Sequence, residues 1–128
     1  LSRAMSRNIV KNKTTGRIIN ISSIISQNGY NGLSVYSATK SGLNGLTLSL
    51  ARELGRTGTT VNAILPGYIK TDMTNKLSDK QLDQIVRRTP LGKLTDTDDV
   101  ANIVEYLVSK KAKSVTGQLI KVDNGITV

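Results

Sequence analysis

Gly16-Arg17-Ile18-Ile19-Asn20-Ile21-Ser22 is a short run dense in isoleucine, bounded by glycine and serine, and it reads as a strand. A polar loop through Asn28, Gly29 and Gly32 follows it. From Ser34 to about Arg56 the pattern changes to helical, with Leu43, Leu46, Leu50 and Leu54 spaced along one stripe. Thr59 to Leu65 then reads as a second strand. A strand, a long helix and a strand in succession imply parallel pairing with a right-handed crossover, hence an α/β fold.

The flanks extend this pattern. Upstream, Ser2 to Lys13 reads as a short basic helix. Downstream, Ser78 to Thr89 reads as a helix opened by the capping box Ser78-x-x-Gln81 and ended by Pro90. Asp96 to Lys110 reads as another, with Asp96, Asp98 and Asp99 where a helix dipole favours anions. Gln118 to Asp123 is the last strand. The chain shows no internal repeat, low-complexity tract, linker or transmembrane run. Its 128 residues, 38% of them apolar, fit one domain.

Composition removes several chemistries. With no histidine and no cysteine, the chain cannot use an imidazole base or a thiolate nucleophile, and no metal site is expected. What remains is a phenol, an ammonium and a hydroxyl. Tyr36 and Lys40 are four residues apart at the start of the long helix, so they share a face. Ser23 ends the first strand. An ammonium a few ångströms from a phenol favours the phenolate, which makes the phenol a better proton donor near neutral pH. A serine hydroxyl beside it can hold a carbonyl oxygen. Taken alone, Ser23 reads as a turn or cap residue and a Tyr-x-x-x-Lys pair is weak. Their placement at a strand end and a helix start fits the rule that open α/β sheets bind ligands beyond their strand C-termini. The trio meets the needs of hydride transfer to ketones.

Three ordered segments carry a family resemblance: Gly16 to Ser23, then Tyr36-Ser-Ala-Thr-Lys40, then Val61-Asn62-Ala63-Ile64-Leu65-Pro66-Gly67-Tyr68-Ile69-Lys70-Thr71-Asp72-Met73. They resemble the classical short-chain dehydrogenase/reductases, and within them the β-ketoacyl-acyl carrier protein reductases. The resemblance implies that Ser23, Tyr36 and Lys40 are catalytic and that Tyr36 and Lys40 also contact the cofactor. It implies that Pro66, Gly67, Ile69 and Thr71 line a nicotinamide pocket, so the implied cofactor is NADPH, with NADH as the alternative. Ile24, Gln27 and Tyr30 would line one side of a substrate pocket, with Ile25 beside them. Met73, Asn75 and Leu77 would belong to a lid over it.

The same resemblance shows what the chain lacks. The family's glycine-rich turn has no counterpart here, since Gly29 and Gly32 stand three apart and Gly42 and Gly45 fall inside a helix. The family's Asn-Ala-Gly segment and its catalytic asparagine are absent as well. The expectation is therefore the C-terminal half of a Rossmann-type doubly wound parallel sheet. The N-terminal dinucleotide-binding half would be absent, and residues 1–128 would form a single partial domain. The three strands would be neighbours at one side of a seven-stranded sheet, leaving the first as an exposed edge.

Partners follow from charge and surface. The net charge is +9, from eighteen basic and nine acidic residues. Arg3, Arg7 and Lys11 share one helix face, with Lys13 and Arg17 beyond it. That face reads as solvated surface or as a docking patch for an acidic carrier protein. The family places a basic residue just before the glycine matching Gly58, where this chain has Thr57, with Arg56 one place earlier. Aromatics at 3% and no recognition motif argue against nucleic acid. Small residues on the long helix (Ser37, Ala38, Ser41, Gly42, Gly45) suit either packing within one subunit or close approach of a second backbone, and the resemblance implies a homo-tetramer. Val122-Asp123-Asn124-Gly125 departs from the family, which more often has two glycines there.

Two readings stand. One is an NADPH-dependent reductase of a β-ketoacyl carrier-protein substrate, with steroid, quinone or sugar-derived ketones as alternatives. The other is a non-catalytic product, a truncated fragment or a structural subunit that pairs with a complete partner. Bacterial relatives of the first kind act in the cytoplasm and eukaryotic ones in the mitochondrial matrix, and both compartments stay open.

Overall fold

A computed structural model describes residues 2–69 and 78–128. Three parallel strands, β1 (Arg17–Ile21), β2 (Thr60–Pro66) and β3 (Leu119–Val122), lie in the order β1-β2-β3. Register is set by Arg17 opposite Thr60 and by Ala63 opposite Leu119. The helices are α1 (Ser2–Asn12), α2 (Ile25–Asn28), α3 (Ser34–Leu54), α4 (Asp79–Arg88) and α5 (Thr97–Val108), with 3₁₀ turns at Gly55–Thr57 and Lys110–Ala112. The parallel α/β architecture expected from the sequence is present, with element ends shifted by one or two residues.

β2 is buried along its whole length, as a central parallel strand covered on both faces must be. One face carries Val61, packed with Ile18 of β1 and Leu50, Ala51 and Leu54 of α3. Further along that face, Ala63 and Leu65 meet Ile24. The other face carries Ile64, packed with Leu107 of α5 and Ala112. Each fully buried Leu or Ile contributes about 1.5–3 kcal/mol. Asn62 is polar and 1% exposed, and it is satisfied on both sides. Its Nδ2 donates to the Val115 carbonyl at 2.8 Å and its Oδ1 accepts from the Gln118 amide at 3.0 Å, which seats β3 against β2.

Both capped helices start as their sequences direct. Ser78 Oγ accepts from the Gln81 amide while Gln81 Oε1 accepts from the Ser78 amide. Asp96 Oδ1 accepts from the Asp98 amide and Asp99 Oδ2 from the Asp96 amide. The tail departing from the family's two glycines places Asn124 at φ 53°, a left-handed conformation that asparagine tolerates better than most residues. Asn124 Nδ2 donates to the Lys93 carbonyl at 3.2 Å, and Gly125 must be glycine because a Cβ there would lie 2.9 Å from Pro90.

Four expectations need correction. The loop after β1 contains a helix, α2, whose single turn is too short to leave a periodic signal. Leu46 of the leucine stripe faces outward at 42% exposure, while Asn44 and Thr47 are buried in its stead. Gly42 and Gly45 also face outward, for a Cβ at either would meet nothing within 4 Å, so no packing among the described residues explains them. Arg17 does not extend the basic face of α1. Its guanidinium folds back to donate to the carbonyls of Gly16 at 2.9 Å and Gly58 at 3.3 Å.

Candidate active site

The site forms where the chain leaves β1. The Ser22 amide donates to the Ile64 carbonyl at 2.7 Å and the Ile24 amide to the Pro66 carbonyl at 3.2 Å, so the segment runs on beside the end of β2. Ser23 lies between them, 8% exposed. Its Oγ accepts from the Ile25 amide at 3.2 Å, which leaves the hydroxyl proton to donate. Its carbonyl accepts from the Ser26 amide and hydroxyl.

α3 brings the other two groups. Tyr36 and Lys40 occupy its first two turns on one side, and Lys40 Nζ lies 5.7 Å from the centroid of the Tyr36 ring, within cation–π range. Lys40 Nζ also donates to the Ile21 carbonyl at 2.9 Å, which fixes the ammonium two residues from Ser23 in sequence. Ser22 Oγ donates to the Lys40 carbonyl at 3.2 Å. Tyr36 is 38% exposed, so its phenol is accessible from solvent. A buried hydroxyl, an exposed phenol and an ammonium are thereby gathered at the C-terminal end of β1.

Pro66 ends β2, and the backbone after it is held from two sides. The Gly67 amide donates to the Val122 carbonyl at 2.9 Å, and a Cβ on Gly67 would lie 2.8 Å from Asp123 Cα, so glycine is required. Ile69 forms a parallel bridge with Thr95, and the Thr95 amide donates to the Tyr68 carbonyl at 3.0 Å. Thr71, Met73, Asn75 and Leu77 lie outside the described residues.

Of the expected pocket residues, Gln27 and Tyr30 are exposed. Ile24 is not: it is 5% exposed and packs with Ala63 and Leu65, because its amide bond to Pro66 turns it onto the sheet. It backs the site rather than lining it. Sequence reasoning passed over Tyr68, which packs on the same cluster and whose phenol interacts with that of Tyr30 across the two post-strand segments. Burial, and next the Tyr30 phenol, push the Tyr68 hydroxyl above the usual tyrosine range, with Arg88 opposing. It also passed over the polar groups joining α2 to α3. Ser37 Oγ donates to the Ile25 carbonyl at 3.0 Å, Ser41 Oγ to the Ser26 carbonyl at 2.6 Å, and Asn44 Nδ2 to Ser26 Oγ at 2.7 Å. Positions 37, 41 and 44 fall on one helix side, and that spacing was the available signal.

Among the described residues, no group of histidine, cysteine, aspartate or glutamate side chains could hold a metal ion, and no helix is long and apolar enough to cross a membrane.

Comparison with known proteins places this arrangement. A family profile described as enoyl-(acyl carrier protein) reductase matches residues 1–127. The 3-oxoacyl-[acyl-carrier-protein] reductase of Rickettsia felis is 47% identical over 126 residues, covering 98% of this chain and 52% of that protein. The enzyme of the same name from Staphylococcus epidermidis is 48% identical over 112 residues, covering 88% of this chain and 46% of that protein. A crystal structure described as a 2-deoxy-D-gluconate 3-dehydrogenase from Agrobacterium tumefaciens, with bound NADP, superposes at a TM-score of 0.94 with 34% identity. That match covers 98% of this chain and 52% of the other. The chain thus spans about half the length of the curated relatives it matches.

Proposed function

We propose a function from one premise: the chain belongs to the family described as enoyl-(acyl carrier protein) reductase, within the short-chain dehydrogenase/reductases. On that premise, residues 1–128 are the catalytic C-terminal half of an NADP(H)-dependent reductase domain that converts a ketone to an alcohol. The substrate is a 3-oxoacyl group carried on an acyl carrier protein. The family description names an enoyl reductase, whereas the curated relatives are named 3-oxoacyl reductases. We follow the relatives, because a phenol and a hydroxyl placed together suit proton delivery to a carbonyl oxygen.

The observation that carries the reading is the Lys40 ammonium beside the Tyr36 ring, tied to the strand end that bears Ser23. The groups present fit the nicotinamide end of such a cofactor, since Tyr36 and Lys40 offer donors for hydroxyl groups next to a fixed backbone at Pro66, Gly67 and Ile69. Thr71 completes the proposed cofactor set. When bound, NADPH supplies the hydride. Ser23 donates a hydrogen bond to the substrate oxygen and orients it. Tyr36 passes its proton to that oxygen, and the Lys40 ammonium stabilises the phenolate left behind. Gln27, Tyr30 and Met73 contact the substrate.

Further features support the assembled enzyme. The outward side of α3, with Val35, Gly42, Gly45 and Leu46 exposed, suits contact with a second copy in a homo-tetramer. The exposed Arg7 and Lys11 suit an acidic carrier protein. The bacterial source of both curated relatives favours the cytoplasm over the mitochondrial matrix.

In a complete reductase domain carrying this chain, Tyr36→Phe should lower ketone reduction by at least about 10²-fold and leave NADPH affinity nearly intact. Unchanged turnover refutes the role given to Tyr36. Titrating the 128-residue chain with NADPH, followed by nicotinamide fluorescence, separates the second reading. Saturable binding gives the chain a usable cofactor site, and no binding by folded chain means that the activity belongs to a longer protein of which this chain is the catalytic half only.

A further inference from the structure

The Ser23 hydroxyl is useful only if its orientation is fixed, and little of the chain is in a position to fix it. Its backbone is held from below by β2. From the side, Ser22 and Ile21 are bonded to Lys40 of α3 and Ile25 to Ser37, while Ser26 bonds both to Ser23 itself and to α3. Ser26 donates its hydroxyl to the Ser23 carbonyl at 2.5 Å and accepts at the same oxygen from Asn44 Nδ2 at 2.7 Å. The Ser26 carbonyl accepts from Ser41 Oγ at 2.6 Å. Two bonds therefore reach Ser26 from α3, and two leave it for the Ser23 carbonyl, the shorter from its hydroxyl and one of 3.1 Å from its amide. Asn44 is 7% exposed and its Oδ1 has no partner among the described residues, a cost that side-chain packing alone would not favour, since a leucine would fill the site without it. The asparagine is retained where its amide group holds Ser26.

We infer that Ser26, backed by Asn44, is the positioning residue that sets Ser23 against Tyr36 and Lys40. The inference rests on the reductase reading for its consequence and on the hydrogen-bond chain for its existence, so the two can fail separately. If α3 shifts, Ser26 carries Ser23 with it, and the three functional groups keep their spacing. Without the Ser26 hydroxyl, the Ser23 carbonyl keeps only the 3.1 Å bond from the Ser26 amide, Asn44 loses its acceptor on Ser26, and the Ser23 hydroxyl is less firmly directed.

The test has a structural and a kinetic readout. In the 128-residue chain, exchange of the Ile25 amide, which donates to Ser23 Oγ, is followed by NMR relative to the Ala63 amide in β2. Ser26→Ala should speed Ile25 exchange about tenfold beyond any change at Ala63, and Ser26→Thr, which keeps the hydroxyl, should restore it. In the complete reductase domain, Ser26→Ala should lower kcat about 10- to 100-fold with NADPH affinity unchanged, again restored by Ser26→Thr. Ile25 exchange unaltered in Ser26→Ala overturns the inference whatever the kinetics. Faster exchange with wild-type kcat overturns it too, because Ser23 would then be loosened without consequence. No ketone reduction by the complete wild-type domain overturns the reductase reading and leaves the Ile25 measurement to decide this one.

Discussion

The two sides of α3 differ in kind. Inward, Asn44, Thr47, Leu50, Ala51 and Leu54 are buried, and the polar members are bonded to the β1 and α2 segments: Asn20 Nδ2 donates to Thr47 Oγ1 at 2.9 Å, just as Asn44 reaches Ser26. Outward, Val35, Leu46 and two glycines stand exposed, with open space where their neighbours would be. Apolar contact is non-directional and tolerates sliding, whereas a hydrogen bond has one register. The inward side therefore fixes where Tyr36 and Lys40 sit along β1. The outward side has surface to give to a partner and contributes little to the fold of this chain.

Substitutions sharpen that contrast. Leu54→Ala, at 2% exposure in the cluster with Ile18 and Val61, should cost about 2–5 kcal/mol in chemical denaturation. The matching change on the other side, Leu46→Ala, should stay within about 0.5 kcal/mol. Equal costs would dissolve the distinction between the sides. Gly45→Ala should stabilise the isolated chain by about 0.5–1 kcal/mol, because the helical backbone accepts a Cβ and nothing stands in its way. Where the proposed tetramer forms through this side, the same change should weaken self-association of a complete domain, read by sedimentation velocity or light scattering. Stabilisation with unaltered association would remove the outward side from the proposed tetramer.

The smallest effect tests an element away from both sides. The backbone amide of Asp98, and next the Thr97 hydroxyl, hold the Asp96 carboxyl below the usual carboxylate range at the start of α5. A group whose folded pKa is depressed contributes stability present above its unfolded value and lost as pH falls through the folded one. The wild-type chain should thus melt above Asp96→Asn at neutral pH, with the gap closing on acidification below the ordinary carboxylate range. A gap independent of pH would mean that the charge plays no part in the cap.

How far the sequence disclosed this molecule depended on the range of the interaction. The Ile18–Ile21 run, the glycine and serine around it, the capping box at Ser78 and the dipole-favoured Asp96, Asp98 and Asp99 are local signals, and each produced the element it announced. The leucine stripe misled at Leu46 because periodicity marks an apolar line without saying which line faces the sheet. Asn44 and Thr47 displaced it inward since Ser26 and Asn20 offer them partners, and that pairing exists only once β1 and α3 are packed. Ile24 was misplaced for a similar reason, its direction being set by Pro66 far along the chain. Ser23, Tyr36 and Lys40 were legible because spacing on one strand end and one helix turn is enough to gather them.

The position of β2 has a kinetic consequence. Both other strands pair with it and with nothing else among the described residues, and the partners are distant in sequence: residue 17 meets residue 60, and residue 63 meets residue 119. Parallel pairings of that separation must close long loops before any bond rewards them, which makes folding slow. α3 spans most of the first gap, so forming it early shortens the search for β1. Among the described residues no comparable single helix bridges β2 to β3, and the C-terminal strand should therefore be the last to lock.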